Sequence, residues 1–349
     1  MLPCRTFNES YARDMAVCRT RLQWVLLCLL LILLFTLPLF IKGYLLSTGT
    51  FLGIVVISAL GLNILSGGCG QISLGHAGFM AVGCYACAIL TGTYGLSFWL
   101  ALPVAGLVAA LVGVIFGSAS LRVKGFYLVL ATLASYFIII KSIEMMKDLT
   151  GGFMGMGVPA PQLGGIIINT PQSVYYLVIT LVVILCFLAK GIMRTKTGRA
   201  FVAVRDNDDA AELLGINLLS AKLLAFGICC FYAGIAGALL GVFNRWAAPH
   251  LFPMWDNVWY LIVVVIGGMG SVTGAILGSV FMVALREFVS FIGPAIGELS
   301  PMIATKVEAA LGLIINGLVL VLFLIYEPRG LYHRWETFKS SYRLGVFSY

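Results

Sequence analysis

Charged side chains are scarce in this 349-residue sequence. Asp, Glu, Lys and Arg together make up 10% of the residues, whereas hydrophobic side chains make up 61%. A soluble domain has about 25% charged residues and cannot hide so much apolar surface. The composition therefore argues against a soluble enzyme, a disordered chain and a nucleic-acid-binding protein. The formal net charge is +8, but the basic residues lie between long apolar runs, which is typical of a polytopic membrane protein.

Acidic residues and histidines are scarcer still, with 14 Asp and Glu and three His. None of the carboxylates is predicted in the middle of a span, where they commonly carry protons in coupled pumps. This counts against a secondary transporter, although a sodium site made of carbonyl oxygens stays open. Cys84 and Cys87 form a C-x-x-C inside an apolar run, without a second pair or clustered His, so we interpret them as packing residues. We expect no catalytic residue, no metal site and no cofactor bound by this chain.

The apolar runs predict an all-α integral membrane protein with about ten transmembrane helices, some of them broken by Gly-rich segments. The predicted helices are Leu22–Ile41, Leu45–Leu65, Ser73–Thr91, Leu96–Leu121, Gly125–Ile140, Ser173–Ala189, Leu223–Phe243, Val258–Ile266, Gly274–Leu285 and Val307–Tyr326. They form one transmembrane domain, residues 22–326, between an N-terminal segment, residues 1–21, and a C-terminal tail, residues 327–349. A polar, Gly-rich loop is predicted from Lys141 to Gln172.

The distribution of basic residues predicts the orientation. With ten spans, most of the Lys and Arg residues fall on the side of the amino terminus, and basic loops are cytoplasmic. Both termini are therefore expected in the cytoplasm. Merging the eighth and ninth helices into one would place the basic carboxyl tail on the opposite side, so we interpret them as two helices.

Two Gly-rich stretches interrupt apolar runs in a similar way: Gly67–Gly70 and Gly267–Gly270. Lipid cannot satisfy the backbone groups that a helix break frees, so such breaks are buried in protein or face a watery cavity. Paired broken helices often mark a transport pathway, although 40 glycines make a chance match easy. The candidate pathway residues are Asn63, Gly67, Gly70, Gln71, Ser73, Gly75, His76, Gly267, Gly268, Gly270 and Ser271. The polar members of this set could instead hydrogen-bond neighbouring helices and fix their packing.

A charged stretch from about residue 190 to 222 is the longest segment between predicted spans on the amino-terminal side. It predicts a short helix that starts near Asp206, Asp208 and Asp209, where negative charge suits the helix dipole, and that stops at Gly215. Such an amphipathic helix either rests on lipid or docks into a groove of a partner protein. Because its acidic start disfavours anionic lipid, docking to a partner is favoured.

Several motifs, in a fixed order, resemble those of the branched-chain amino acid ABC transporter permeases. They span about residues 50 to 331. The matching pieces are Gly70–Phe79 (similar to G-Q-x-S-L-G-H/Q-A), Leu121–Leu128 (L-R-x-R-G-x-Y-x), Thr197–Asn217 (the coupling region), Gly267–Ser271 with Gly274 and Gly278, and Pro328–Leu331 (P-R-G-L). The second and the last of these favour the LivM-type subunit over its LivH-type partner.

The resemblance implies half of an importer channel in the bacterial inner membrane. Its implied partners are a LivH-type permease subunit, two ATP-binding subunits, a periplasmic substrate-binding protein and membrane lipid. This chain has no G-x-x-x-x-G-K-[ST] phosphate loop, so the partner subunits would use ATP and Mg. The implied substrates are leucine, isoleucine, valine and related hydrophobic amino acids, while sister permeases carry urea or short amides.

The resemblance also implies a set of residues that couple the channel to the ATPases. The set is Gly198, Arg199, Arg205, Asp206, Asp209, Ala210, Ala211, Glu212 and Gly215. Two other classes of function stay open from the residues alone: a secondary transporter or facilitator channel that needs no ATPase, and an intramembrane enzyme. The enzyme is disfavoured because His76, Asn63 and Tyr85 form no catalytic set.

Overall fold

The computed structural model describes residues 21–41, 43–120, 125–163, 166–297, 314–315, 317–323, 325–327 and 330–344. The predictions for residues 1–20, for residues 121–124 of the motif Leu121–Leu128, and for residues 328–329 of the motif Pro328–Leu331 lie outside these ranges. Much of the predicted helix Val307–Tyr326 and the end of the C-terminal tail lie outside them as well.

Within the described residues the fold is all-α, apart from four strands of two residues each. The α-helices longer than four residues are α1 Arg21–Phe40, α2 Tyr44–Asn63, α3 His76–Gly92, α4 Phe98–Ser120, α5 Phe126–Met145, α6 Pro171–Arg194, α7 Lys196–Asp206, α8 Asp208–Leu213, α9 Leu218–Asn244, α10 Met254–Gly267, α11 Val272–Gly297 and α12 Gly330–Leu344. A π-helical turn, Ile64–Gly68, continues α2. Helical backbone also covers the described part of residues 314–326.

Seven helical segments of the described chain are long and apolar enough to cross a membrane. They are Tyr44–Gly68, Phe98–Ser118, Phe126–Met145, Pro171–Arg194, Leu218–Asn244, Pro249–Gly267 and Val272–Phe291. Two further apolar helices, Trp24–Phe40 and His76–Gly92, are shorter. The described residues thus contain seven full-length candidates, compared with the ten spans predicted.

Helix α9 forms the centre of the bundle and packs against α2, α3 and α4. Small residues allow this close packing: a Cβ added at Gly237 would collide with the carbonyl oxygen of Met80, and one added at Gly83 with the backbone of Gly234. Such small-residue contacts are how membrane helices approach one another. Cys84 and Cys87 on α3 are free and buried in the same core.

Helices α10 and α11 form an antiparallel hairpin. A Cβ added at Gly267 would collide with the carbonyl oxygen of Gly274, and one added at Gly278 with that of Val263. The interpretation of this region as two helices is confirmed, but both extend beyond their predicted ends at Val258 and Leu285. The apolar pattern stops early at Leu285 because Arg286 and Glu287 follow, yet the helix continues through them.

The predicted loop between α5 and α6 contains three short strands, which take part in two antiparallel pairs. Strand β1, Met156–Gly157, pairs with β4, Trp246–Ala247, and β2, Gln162–Leu163, pairs with β3, Ile166–Ile167. The indole nitrogen of Trp246 also donates to the carbonyl oxygen of Met154 at 2.9 Å. These contacts attach the loop to the end of α9.

Candidate functional site at the two helix breaks

At the first break, Gly67–Gly70, the chain leaves the helix and its backbone turns back into the protein. After the π-helical turn, residues 69–75 lead to His76, whose Nε2 lies 2.7 Å from the hydroxyl of Ser58. Helix α3 therefore starts beside residue 58, well inside the bundle. Backbone groups of this segment find partners in the protein: Gln71 N donates to Leu65 O at 3.2 Å, and Leu74 N donates to the hydroxyl of Thr132 at 3.0 Å. Most of this segment is thus buried in protein, as irregular backbone at membrane depth must be, while Gly70 and Ile72 are exposed.

The side chain of Asn63 joins the two breaks. Its Nδ2 donates to the carbonyl oxygen of Ser271 at 3.0 Å, and its Oδ1 accepts a hydrogen bond from Gly270 N at 2.8 Å. The backbones are in direct contact as well, because a Cβ added at Gly67 would collide with Gly270 N. One buried amide thus satisfies a donor and an acceptor of the second break.

Arg205, at the end of α7, reaches the same place. Its Nη1 donates to the carbonyl oxygen of Gly67 at 2.9 Å, while Nε and Nη2 donate to Asp206 Oδ1 at 3.0 and 2.9 Å. Gly70 has φ +72° and Gly270 has φ +89°, and a Cβ at Gly70 would lie 2.8 Å from Arg205 Cγ. We call Asn63, Gly67, Arg205, Gly270 and Ser271 the break junction. It combines residues predicted separately as pathway and as coupling residues.

Gly267 and Gly268 lie at the opposite edge of the second break, against α11 and α12. A Cβ added at Gly330 would lie 2.6 Å from the backbone of Gly268, and Gly330 has φ +76°. Helix α12 therefore begins on the second break. The sequence patterns did not predict this contact. The feature that could have indicated it is Gly330 in the P-R-G-L motif.

His76 lies inside the helix bundle, away from the break junction. Its Nδ1 is 3.6 Å from Cys229 Sγ, and its ring meets that of Tyr260 edge-on at 5.6 Å between centroids. The sequence patterns did not single out these partners, nor Ser58, because they come from three different helices. The arrangement joins α2, α3, α9 and α10 around one polar ring.

Gln71, Ser73 and Gly75 are buried between the break junction and His76. Ser73 Oγ accepts from Gly75 N at 3.3 Å, and a Cβ at Gly75 would lie 2.7 Å from Thr132 O. Gln71 Oε1 is buried and accepts no hydrogen bond from the part of the chain that the structure describes. An acceptor of this kind is uncommon in protein interiors.

The coupling segment is almost entirely helical. The single predicted helix from Asp206 to Gly215 proves to be the end of α7 and a separate α8, because Asn207 interrupts them and its Oδ1 accepts from Ala210 N at 3.0 Å. Gly198 is buried near the start of α7, where a Cβ would lie 2.5 Å from Met193 O. Arg199 is exposed on the same helix.

Helix α8 presents an apolar tip. Leu213 and Leu214 are 90% and 79% exposed, whereas Ala211 is buried. Asp209, Ala210 and Glu212 are also exposed, and Gly215, with φ +83°, ends the helix. Lys222 Nζ of α9 pairs with Asp208 Oδ2 at 2.6 Å, in a largely buried position, and so attaches α8 to the central helix of the bundle.

Known proteins resemble this chain over most of its length. The family model described as "Branched-chain amino acid transport system / permease component" matches residues 44–324. LivM of Escherichia coli strain K12, a high-affinity branched-chain amino acid transport system permease protein, is 31% identical over 333 residues, which cover 88% of this chain and 75% of LivM. LivM of Salmonella typhimurium strain LT2 has the same identity and coverage.

A second group of relatives is less similar. LsrC of Shigella flexneri, an autoinducer 2 import system permease protein, is 27% identical over 316 residues, which cover 86% of this chain and 85% of LsrC. No solved structure matches this chain significantly.

The region matched by the family model contains both helix breaks, Arg205, and the helices α7 and α8. Its long apolar helices are those of a membrane-embedded protein. The chain therefore belongs to the family of permease components of branched-chain amino acid transport systems, and its likeness to LivM makes it a LivM-type permease.

Proposed function

We propose that this chain is one of two permease subunits of an ATP-driven ABC importer and forms half of the translocation pathway for branched-chain or related hydrophobic amino acids. The names of the relatives at 31% identity support this substrate class. The relatives named for autoinducer 2 import are 27–28% identical, and they make autoinducer 2 a competitor worth testing.

The proposed assembly contains a LivH-type permease, two ATP-binding subunits and a periplasmic substrate-binding protein, in the bacterial inner membrane. About ten spans, with both termini in the cytoplasm, place the segment of residues 190–222 on the cytoplasmic side. Its basic residues support this orientation. ATP and Mg are bound by the partner subunits, and this chain takes no part in hydrolysis.

The observation that carries the proposal is the hydrogen bond from Arg205 to Gly67 at 2.9 Å. It links a helix beside the exposed tip Leu213–Leu214 to the point where both broken helices meet. A partner that grips α8 and moves on ATP binding would pull on α7, and through Arg205 on both breaks. This is the connection that alternating access needs, because the pathway must respond to a remote event.

Reconstitution in liposomes tests the proposal. We expect the chain together with a LivH-type permease, two ATP-binding subunits and a binding protein to accumulate leucine when ATP is enclosed with the ATPase subunits. We expect no accumulation by the chain alone. Accumulation by the chain alone, or uptake unaffected by ATP depletion, would favour a secondary transporter or facilitator. Competition by urea or autoinducer 2, with none by leucine, would move the substrate to another class.

A further inference from the structure

Three charged residues of α10 and α11 lie inside membrane-length segments at the end of the bundle remote from the break junction, whereas Lys141 and Glu144, in the segment Phe126–Met145 of α5, pair with each other. Arg286 and Glu287 are in the segment Val272–Phe291, and Asp256 is in Pro249–Gly267. At about 1.5 Å per residue, Arg286 lies about 21 Å along α11 from its start. Charged side chains inside spans are costly toward lipid and face the protein, a watery cavity or a partner. The position of these charged residues therefore indicates which face of the chain does not contact lipid.

The charges converge on one face formed by α2, α10 and α11. The guanidinium carbon of Arg286 lies 4.9 Å from the centre of the Phe51 ring, in a cation–π contact. Tyr44 donates a hydrogen bond to one carboxylate oxygen of Glu287, and Thr48 donates to the other at 3.4 Å. Asp256 is close enough to Arg286 for their charges to interact.

An aromatic platform borders these charges, because the Phe51 ring is 6.5 Å from that of Trp259. We call the set the charged face: Tyr44, Thr48, Phe51, Asp256, Trp259, Arg286 and Glu287. Basic, acidic and apolar groups therefore lie side by side.

The guanidinium of Arg286 makes no direct ion pair within this face. Among the residues that the structure describes, no carboxylate oxygen lies within ion-pair distance of it. Arg286 and Tyr44 are exposed, and the remaining members are half-buried. The exposed surface of α4 is different, since its large exposed side chains are apolar, such as Leu100, Leu107 and Leu111. A surface of that composition suits lipid, and the charged face does not.

We propose that the charged face lines the translocation pathway and binds the zwitterionic end of an amino acid. Arg286 donates to the substrate carboxylate, Glu287 or Asp256 accepts from its ammonium group, and its apolar side chain lies against Phe51 and Trp259. This inference rests on the proposed function and adds to it a location for the substrate. One cation, two carboxylates and an aromatic surface match the three parts of a hydrophobic amino acid. A neutral sugar-like or amide substrate carries no pair of opposite formal charges for these groups to match.

The test uses the complete reconstituted importer and measures leucine transported per ATP hydrolysed. We expect Arg286→Gln to lower this ratio at least about tenfold, since a hydrogen bond to a charged group is lost in the pathway. Arg286→Lys, which keeps the charge, restores part of the ratio. Lys141→Gln is the matched control: it removes an exposed cation from α5 that pairs with Glu144 at 2.6 Å, outside the charged face, and leaves the ratio unchanged.

Two results would overturn the inference while the proposed function stands: a wild-type ratio in Arg286→Gln, or loss of its copurification with the LivH-type permease. The second result assigns the charged face to the contact between the two permeases. If the wild-type importer carries no amino acid, the proposed function fails, and this inference fails with it.

Discussion

The Nη1 of Arg205 donates a hydrogen bond to the carbonyl oxygen of Gly67, across 138 positions of the chain. The acceptor is a backbone group at a helix end, which has no partner within the helix. The donor is a charged side chain, which makes such bonds about twice as strong as neutral ones. Helix α7 and the first break are therefore connected directly.

Replacing Arg205 should uncouple the two regions. We expect Arg205→Gln to lower ATP-dependent leucine uptake by the complete importer about tenfold or more, together with the substrate-stimulated ATPase rate, because the bond to Gly67 and the pairing with Asp206 are both lost. Arg334→Gln is the control, since Arg334 pairs with Glu327 elsewhere on the chain. Full stimulation in the Arg205 variant would contradict the assigned coupling role. Charge reversal at Asp209, which is exposed on α8, is expected to lower the stimulated rate in the same way.

Removing the Asn63 amide should destabilise the protein. Asn63→Leu leaves Gly270 N and Ser271 O, which are only partly buried, without their partner, and up to about 1–3 kcal/mol is lost where a group stays unsatisfied. We expect a lower midpoint of thermal unfolding in detergent, followed by tryptophan fluorescence. Asn169→Leu, on the exposed loop where Asn169 accepts from Arg245, should change the midpoint much less. Equal midpoints for the two variants would mean that the Asn63 bridge contributes little.

Gly67 and Gly191 provide a matched pair of glycine substitutions. A methyl group at Gly67 would collide with Gly270 N, whereas one at Gly191 in α6 meets nothing within 4 Å. We expect Gly67→Ala to lower the yield of folded protein and its unfolding midpoint, because overpacking costs about 1–3 kcal/mol. Gly191→Ala should be neutral or stabilising by up to about 1 kcal/mol, since alanine favours the helix. Size-exclusion chromatography and thermal unfolding measure both, and a well-folded Gly67→Ala would show that the breaks separate easily.

The apolar tip of α8 should be needed for assembly and dispensable for folding. The double variant Leu213→Ser and Leu214→Ser changes two side chains that are almost fully exposed, so we expect normal membrane levels of the chain. Copurification with the ATP-binding subunits should fall at least about tenfold, because an interface anchor is lost. Phe338→Ser, on the exposed side of α12, serves as the control. Retained copurification in the α8 variant would assign ATPase docking to another surface.

Long apolar runs and glycine punctuation predicted the helical class, the two breaks and the α10–α11 hairpin. Helix ends were predicted less well where charged residues lie inside a span. Arg286 and Glu287 follow an apolar run in the way that residues after a helix end do, but α11 continues through them, and they contact Phe51 and Tyr44 of α2. The break between α7 and α8 depends on which of several adjacent polar residues caps a helix, and here it is Asn207.

The contacts of the break junction could not be predicted, because no local pattern records them. Asn63 and Gly270 are far apart in sequence. From the sequence, Asn63 can be explained as an amide at a helix end, and Gly270 as a glycine in a turn. Their meeting depends on how α2 packs against the hairpin. The roles assigned to the pathway and coupling residues stay predictions until the variants are measured.

Because a single amide holds Gly270 and Ser271 at once, α2 and the α10–α11 hairpin share one fixed hinge point instead of two independent ones. A movement of α7 that is transmitted through Arg205 must then move α2 and the hairpin together. Separating Gly67 from Gly270 would first have to break two hydrogen bonds, both of them made by Asn63.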